Sequence, residues 1–155
     1  MNGDVPAIET VALSKTYKGG VRALTELDLR VEHGEVFGFL GPNGAGKSTT
    51  IRLLLDLIRP TSGRALVFGL DSRRNGVAAR RMVGYLPGDL RLFDRLTGRE
   101  QLESLTRLRG AVDPALRDAL VERFGVVLDR PIRELSKGNR QKVGLVQAFM
   151  HRPDL

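Results

Sequence analysis

One segment limits what this chain can fold into more than any other: Gly41-Pro42-Asn43-Gly44-Ala45-Gly46-Lys47-Ser48-Thr49. It satisfies the phosphate-loop pattern G-x-x-x-x-G-K-[ST] at every fixed position, a pattern that has meaning only between a strand and a helix. The flanks supply both. The apolar run Val36-Phe37-Gly38-Phe39-Leu40 reads as a buried strand, and Ile51, Leu54, Leu55 and Ile58 recur at helical spacing on one face. A glycine-rich turn ahead of an ordinary helix is the plainer alternative, and four fixed positions in a strand-loop-helix setting argue against it.

The residue types follow from the chemistry of holding phosphate. Gly41, Gly44 and Gly46 let the backbone take conformations closed to residues with a Cβ, so that successive N–H groups turn inward as a nest around phosphate oxygens. A helix beginning near Gly46 adds its unpaired donors and its positive dipole end. The pattern assigns Lys47 to the β- and γ-phosphates of a nucleoside triphosphate, the Ser48 hydroxyl to Mg2+, and Thr49 to the α-phosphate side.

At 155 residues with 41% hydrophobic content, the chain fits one domain and could fill a core. It has no cysteine, hence no disulfide and no thiolate metal site. The start Met1-Asn2-Gly3-Asp4 lacks the charged and apolar regions of a signal peptide, and no stretch approaches a membrane span, so the expectation is a cytoplasmic protein. The net charge is +7, with basic residues grouped at Arg73-Arg74, Arg80-Arg81, Arg91/Arg95/Arg99 and Arg130 to Lys142. Arginine supplies 20 of the 25 basic residues, dispersed among acids, which suits solvated faces or contact with an anionic surface. Aromatic residues do not interleave with them, so no nucleic-acid partner is expected.

Along the chain, Ile8 to Leu13 reads as a strand, Lys18-Gly19-Gly20 as a turn, and Leu27, Leu29 and Val31 alternate with polar residues as in a half-buried strand. His33-Gly34 turns the chain toward the loop. Pro60-Thr61-Ser62-Gly63 stops the helix, Arg64 to Phe68 supplies a strand, Val77 to Arg81 a helical patch, and Met82 to Leu86 a further strand. Helices are predicted over about 99–109, 113–124 and 138–150. The second carries an Asp113 cap, Pro114 in its first turn and Gly125 at its end, and the third has Val143, Val146 and Met150 along one face.

Two further motifs carry a family resemblance. Tyr17 stands in Lys15-Thr16-Tyr17-Lys18 at the end of the first β segment, and Leu135-Ser136-Lys137-Gly138-Asn139-Arg140-Gln141 leads into the last helix. With the phosphate loop, these make the chain resemble the ATP-binding subunit of an ABC transporter over nearly its whole length. Leu96-Thr97-Gly98-Arg99-Glu100 and the L-S-K-G-N form of the signature loop, usually L-S-G-G-Q, are most similar to bacterial drug- and polymer-export members.

The resemblance implies an α/β fold, a P-loop NTPase of ABC-ATPase type. It has an N-terminal antiparallel β region, an incomplete parallel core sheet and a helical subdomain. The boundaries run at about 1–86 for the β region and loop core, 87–137 for the helical subdomain and 138–155 for the signature helix. The resemblance further implies that Tyr17 stacks on adenine, and that Gly41, Asn43, Gly44, Ala45, Gly46, Lys47, Ser48 and Thr49 hold ATP with Mg2+ on Ser48. By the same resemblance, Ser136 and Gly138 would act catalytically by donating to the γ-phosphate of ATP on a second, identical subunit. The resemblance also implies a separate membrane permease as the other partner, and with it a place at the inner face of the membrane. Gly88, in Gly84-Tyr85-Leu86-Pro87-Gly88-Asp89, occupies the position of the family's glutamine, and both Asp89 as substitute and a plain turn stand open.

The family pattern continues into a strand with an Asp-Glu pair and a later γ-phosphate-sensing histidine. These 155 residues carry neither, and His33 and His151 lack that histidine's context. The chain therefore reads as a fragment whose parallel sheet lacks its centre, expected to be aggregation-prone. Two functions follow: the ATP-binding portion of an export ATPase, or a nucleotide-binding or interaction fragment that does not hydrolyse.

Overall fold

The computed structural model describes residues 5–110 and 112–155, so the opening Met1-Asn2-Gly3-Asp4 lies outside the described residues. The chain divides into two compact units, Met1–Arg81 and Met82–Leu155.

The first unit is an antiparallel sheet with one principal helix. Strands β1 (Ile8–Thr16), β2 (Arg22–Val31), β3 (Ser62–Val67) and β4 (Leu70–Asp71) run in the order β2-β1-β3-β4. Ile8 pairs with Val31 on one side and Val67 on the other. Tyr17 and Gly20 close the β1–β2 hairpin through backbone bonds of 2.9 and 3.1 Å around the predicted glycine turn. The alternation predicted for β2 is present, with Asp28 and Arg30 exposed between the more buried Leu27, Leu29 and Val31. Helix α1 (Lys47–Leu54) lays Leu53 on Leu13 and Ala65, with Leu24, Leu27, Leu54 and Ile58 packed around them. Each such side chain contributes about 1.5–3 kcal/mol by leaving water, and this contact ties loop and sheet together. Helix α2 (Gly76–Arg81) ends the unit.

The second unit is helical. It comprises α3 (Gly98–Arg109), α4 (Pro114–Phe124), a 3-10 turn at Ile132–Glu134 and α5 (Lys137–Phe149). Asp113 caps α4 and Gly125 ends it in the left-handed conformation, as predicted. Val143, Val146 and Met150 are fully buried against Leu102, Ile132 and Leu135, spaced three and four residues apart so that one face of α5 forms the core.

Three expectations are corrected. Residues 36–40 form no strand: Val36 is 100% and Leu40 90% exposed, because no described strand runs beside them and a strand exists only through its neighbours' hydrogen bonds. Residues 82–86 are likewise not a strand. Met82 and Gly84 nevertheless bond Asp154 and Leu155 in a slanted, parallel-type pattern, with both later N–H groups donating to the Met82 carbonyl and the Gly84 N–H to the Leu155 carbonyl (2.8, 3.1 and 2.7 Å). Among the described residues, parallel pairing is therefore limited to those three bonds. Finally, Ile51 is exposed. The helix closes at Leu54, and its two turns present Thr50 and Leu53 inward instead.

Candidate functional site

The phosphate loop is shaped by its glycines. Gly44 and Gly46 have φ of 87° and 86°, a region costly for residues with a Cβ. Gly46 is doubly constrained, since a Cβ there would stand 2.6 Å from the Ala23 carbonyl oxygen of β2. Behind the loop, fully buried Thr50 donates from both its N–H and its hydroxyl to the Gly46 carbonyl, at 2.8 and 3.0 Å. The Ala45 N–H donates to the Pro42 carbonyl at 3.2 Å, which folds Gly41 to Ala45 into a tight turn.

Gly46 caps α1 with no side chain, and the helix's first turn holds no acid. Lys47 folds back over the loop, its ammonium donating to the carbonyls of Gly41 (2.5 Å) and Pro42 (2.8 Å). A cation thus sits at the mouth of a helix N-terminus whose donors no side chain accepts, the combination that suits polyphosphate. Ser48 is exposed, as are Asn43, Gly44 and Ala45. Tyr17 joins them from the hairpin: its hydroxyl lies 3.4 Å from the Thr49 hydroxyl, and the Lys15 ammonium stands 5.3 Å from its ring centroid. The fold thus gathers Tyr17 and Gly41 to Thr49 at one place in the first unit.

Ser136 and Gly138 lie in the second unit, at the start of α5. Ser136 is its N-cap, accepting the Asn139 N–H at 3.2 Å with its hydroxyl oxygen, which leaves the hydroxyl proton to donate elsewhere. Ser136, Lys137 and Gly138 are exposed, and α5 carries no acid in its first turn. Asp89 is 83% exposed and accepts from Arg91 at 3.3 Å, while Gly88 lies on an open turn. His33 packs on Phe68 with ring centroids 5.0 Å apart, and His151 Nε2 lies 3.2 Å from the Val83 carbonyl. Sequence reasoning missed the side chains that fasten α5, those of Asn139, Arg140 and Lys142, since their partners are backbone groups 7 to 17 residues earlier.

A family profile described as ABC transporter matches residues 24–155. This chain belongs to the ABC transporter family. Among curated proteins, this ABC transporter chain is 40% identical over 154 residues to the daunorubicin/doxorubicin resistance ATP-binding protein DrrA of Streptomyces peucetius, covering 96% of this chain and 46% of that protein. It is 36% identical over 153 residues to the probable multidrug ABC transporter ATP-binding protein YbhF of Escherichia coli K12, covering 96% of this chain and 26% of the relative. It therefore spans from about a quarter to about half the length of these relatives. A solved ATP-binding subunit of an ABC transporter superposes with a TM-score of 0.84 at 29% identity, over 95% of this chain and 63% of that one. The α/β cassette fold is thus shared. Among the described residues no helix is long and apolar enough to cross a membrane, and no three His, Cys, Asp or Glu side chains are grouped to hold a metal ion.

Proposed function

We propose that this chain is the ATP-holding and partner-contacting portion of an ABC-type export ATPase, coupled to a separate membrane permease at the inner face of the membrane. The observation that carries this reading is the Lys47 ammonium poised over the loop at the start of α1, with Tyr17 beside Thr49. ATP would be gripped by the loop N–H groups and the α1 start, and Lys47 would exchange two neutral carbonyls for the β- and γ-phosphates, a stronger charge-assisted pair. Tyr17 would stack on adenine. The exposed Ser48 hydroxyl offers the hard oxygen ligand that Mg2+ prefers, with phosphates and waters completing its shell, and the ion would neutralise phosphate charge. Ser136 and Gly138 would serve the γ-phosphate of ATP on a second copy of the subunit, exposed donors meeting a developing anion.

Binding of a fluorescent ATP analogue tests the reading. Lys47→Ala should weaken Mg-ATP by at least about 100-fold, and Tyr17→Ala should cost about 1–3 kcal/mol. Unchanged binding by Lys47→Ala would overturn it.

The alternative reading is a binding module that does not hydrolyse. It expects phosphate release from the 155-residue chain no faster than background. Steady release that Lys47→Ala abolishes would contradict it.

A further inference from the structure

The start of α5 is held to the segment before it by side chains, and one residue does so at two points. The Asn139 Oδ1 accepts the Val127 N–H at 2.9 Å, and Asn139 Nδ2 donates to the Val127 carbonyl at 2.9 Å. An amide paired to both polar groups of one residue copies what a neighbouring strand does. It fixes rotation as well as distance, which one bond does not. The backbone N–H of Asn139 meanwhile donates to the Ser136 hydroxyl oxygen. Farther along, Arg140 donates to the carbonyls of Ile132 and Arg133 at 3.0 and 2.8 Å, and Lys142 to that of Gly125 at 3.2 Å.

We propose that Asn139 is a positioning residue. Its amide clamp on Val127 sets the orientation in which the Ser136 hydroxyl proton and the Gly138 N–H present together to an anion. The inference rests on the reading that these groups meet a second chain's nucleotide. Gly138 is exposed, and as the second residue of α5 its N–H has no carbonyl of its own helix to meet. Val127 is 48% exposed, so water replaces the clamp when it is removed. Removal therefore frees the turn to rotate without dismantling the core formed by Val143, Val146 and Met150.

The test uses the whole chain with Mg-ATP, measuring monomer affinity by calorimetry and ATP-driven self-association by sedimentation velocity. Asn139→Leu matches the side chain's size but neither accepts nor donates, while Asn139→Gln restores the paired amide one methylene farther out. Expected are ATP affinities of both variants within about twofold of wild type, self-association weakened at least about tenfold by Leu, and recovery to within about threefold by Gln. In amide exchange, the Val127 N–H should be protected in wild type and Gln and exposed in Leu. Self-association of the Leu variant equal to wild type, or an unprotected Val127 N–H in wild type, would overturn the proposal. Wild type that binds ATP without associating would overturn both this proposal and the two-chain reading. Wild type that fails to bind ATP would overturn the functional reading first, and the exchange data would still show whether the clamp exists.

Discussion

The four longest helices begin in two different ways. Helices α3 and α4 close their own N-termini with carboxylates: the Glu100 carboxylate accepts the Thr97 N–H at 2.8 Å and its hydroxyl at 3.0 Å, and Asp113 accepts the Ala115 N–H at 2.9 Å. Helices α1 and α5 carry no acid there, and each has a lysine as its first residue, Lys47 and Lys137. A cation at that end opposes the helix dipole by about 0.3–1 kcal/mol, so helix stability alone does not select it. An acid makes a helix start self-sufficient and repels anions. Its absence leaves the positive end to be met by negative charge from outside. The two starts so built are the phosphate loop and the loop at Ser136, the two places where the proposed function puts an anion.

The largest expected effect comes from breaking the first of these. Gly46→Val puts a branched side chain at φ 86° and 2.6 Å from the Ala23 carbonyl, so urea denaturation should show the first unit losing more than about 2 kcal/mol. An unchanged midpoint would mean the loop does not need its approach to β2. Next, Ser136→Asp converts the α5 start to the closed type. Asp caps as well as Ser, so stability should stay within about 0.5 kcal/mol while ATP-driven self-association falls at least about tenfold. Equal association would dissolve the distinction between the two kinds of start. Thr97→Ala should then cost about 1 kcal/mol of stability and leave ATP affinity untouched, since its capping box serves only α3.

The smallest effect is a pH dependence in the second unit. Burial holds the His151 imidazole below its ordinary pKa of 6.5, the nearby Arg109 charge adds to this, and the hydrogen bond to the Val83 carbonyl opposes it. The neutral ring is thus the folded form. Its contribution is complete above the unfolded pKa and is lost as pH falls below 6.5 toward the lower folded value, because the unfolded chain binds the proton first. His151→Gln should flatten stability across that interval, and a slope that persists would assign it to other groups.

Local rules made much of this legible. Asp113, Pro114 and Gly125 mark the ends of α4 by themselves, and the spacing of Val143, Val146 and Met150 names the buried face of α5. What depends on distant partners was not legible. The run Val36 to Leu40 is apolar enough to be buried, but its pattern says nothing about which strands would lie beside it, and among the described residues none does. On α1 the predicted Leu54, Leu55 and Ile58 do turn inward, but Ile51 fits the same helical spacing and lies exposed, while Leu53 makes the contact with Leu13. Tyr17 was placed at the nucleotide by resemblance alone, and its approach to Thr49 spans 32 residues. The Asn139 clamp had no sequence signal, because an asparagine in a first turn reads as an ordinary polar residue until Val127 is brought to it.

Calorimetric titration of Mg-ATP into wild type, Lys47→Ala and Ser136→Arg tests the central claim most directly, because it asks each helix start separately for its share in gripping nucleotide. The account predicts loss of at least about 100-fold in affinity for Lys47→Ala and a change of no more than about twofold for Ser136→Arg. A Ser136→Arg chain that loses affinity as severely as Lys47→Ala would mean that both starts act on one nucleotide within one chain, and the division of labour between them would be wrong.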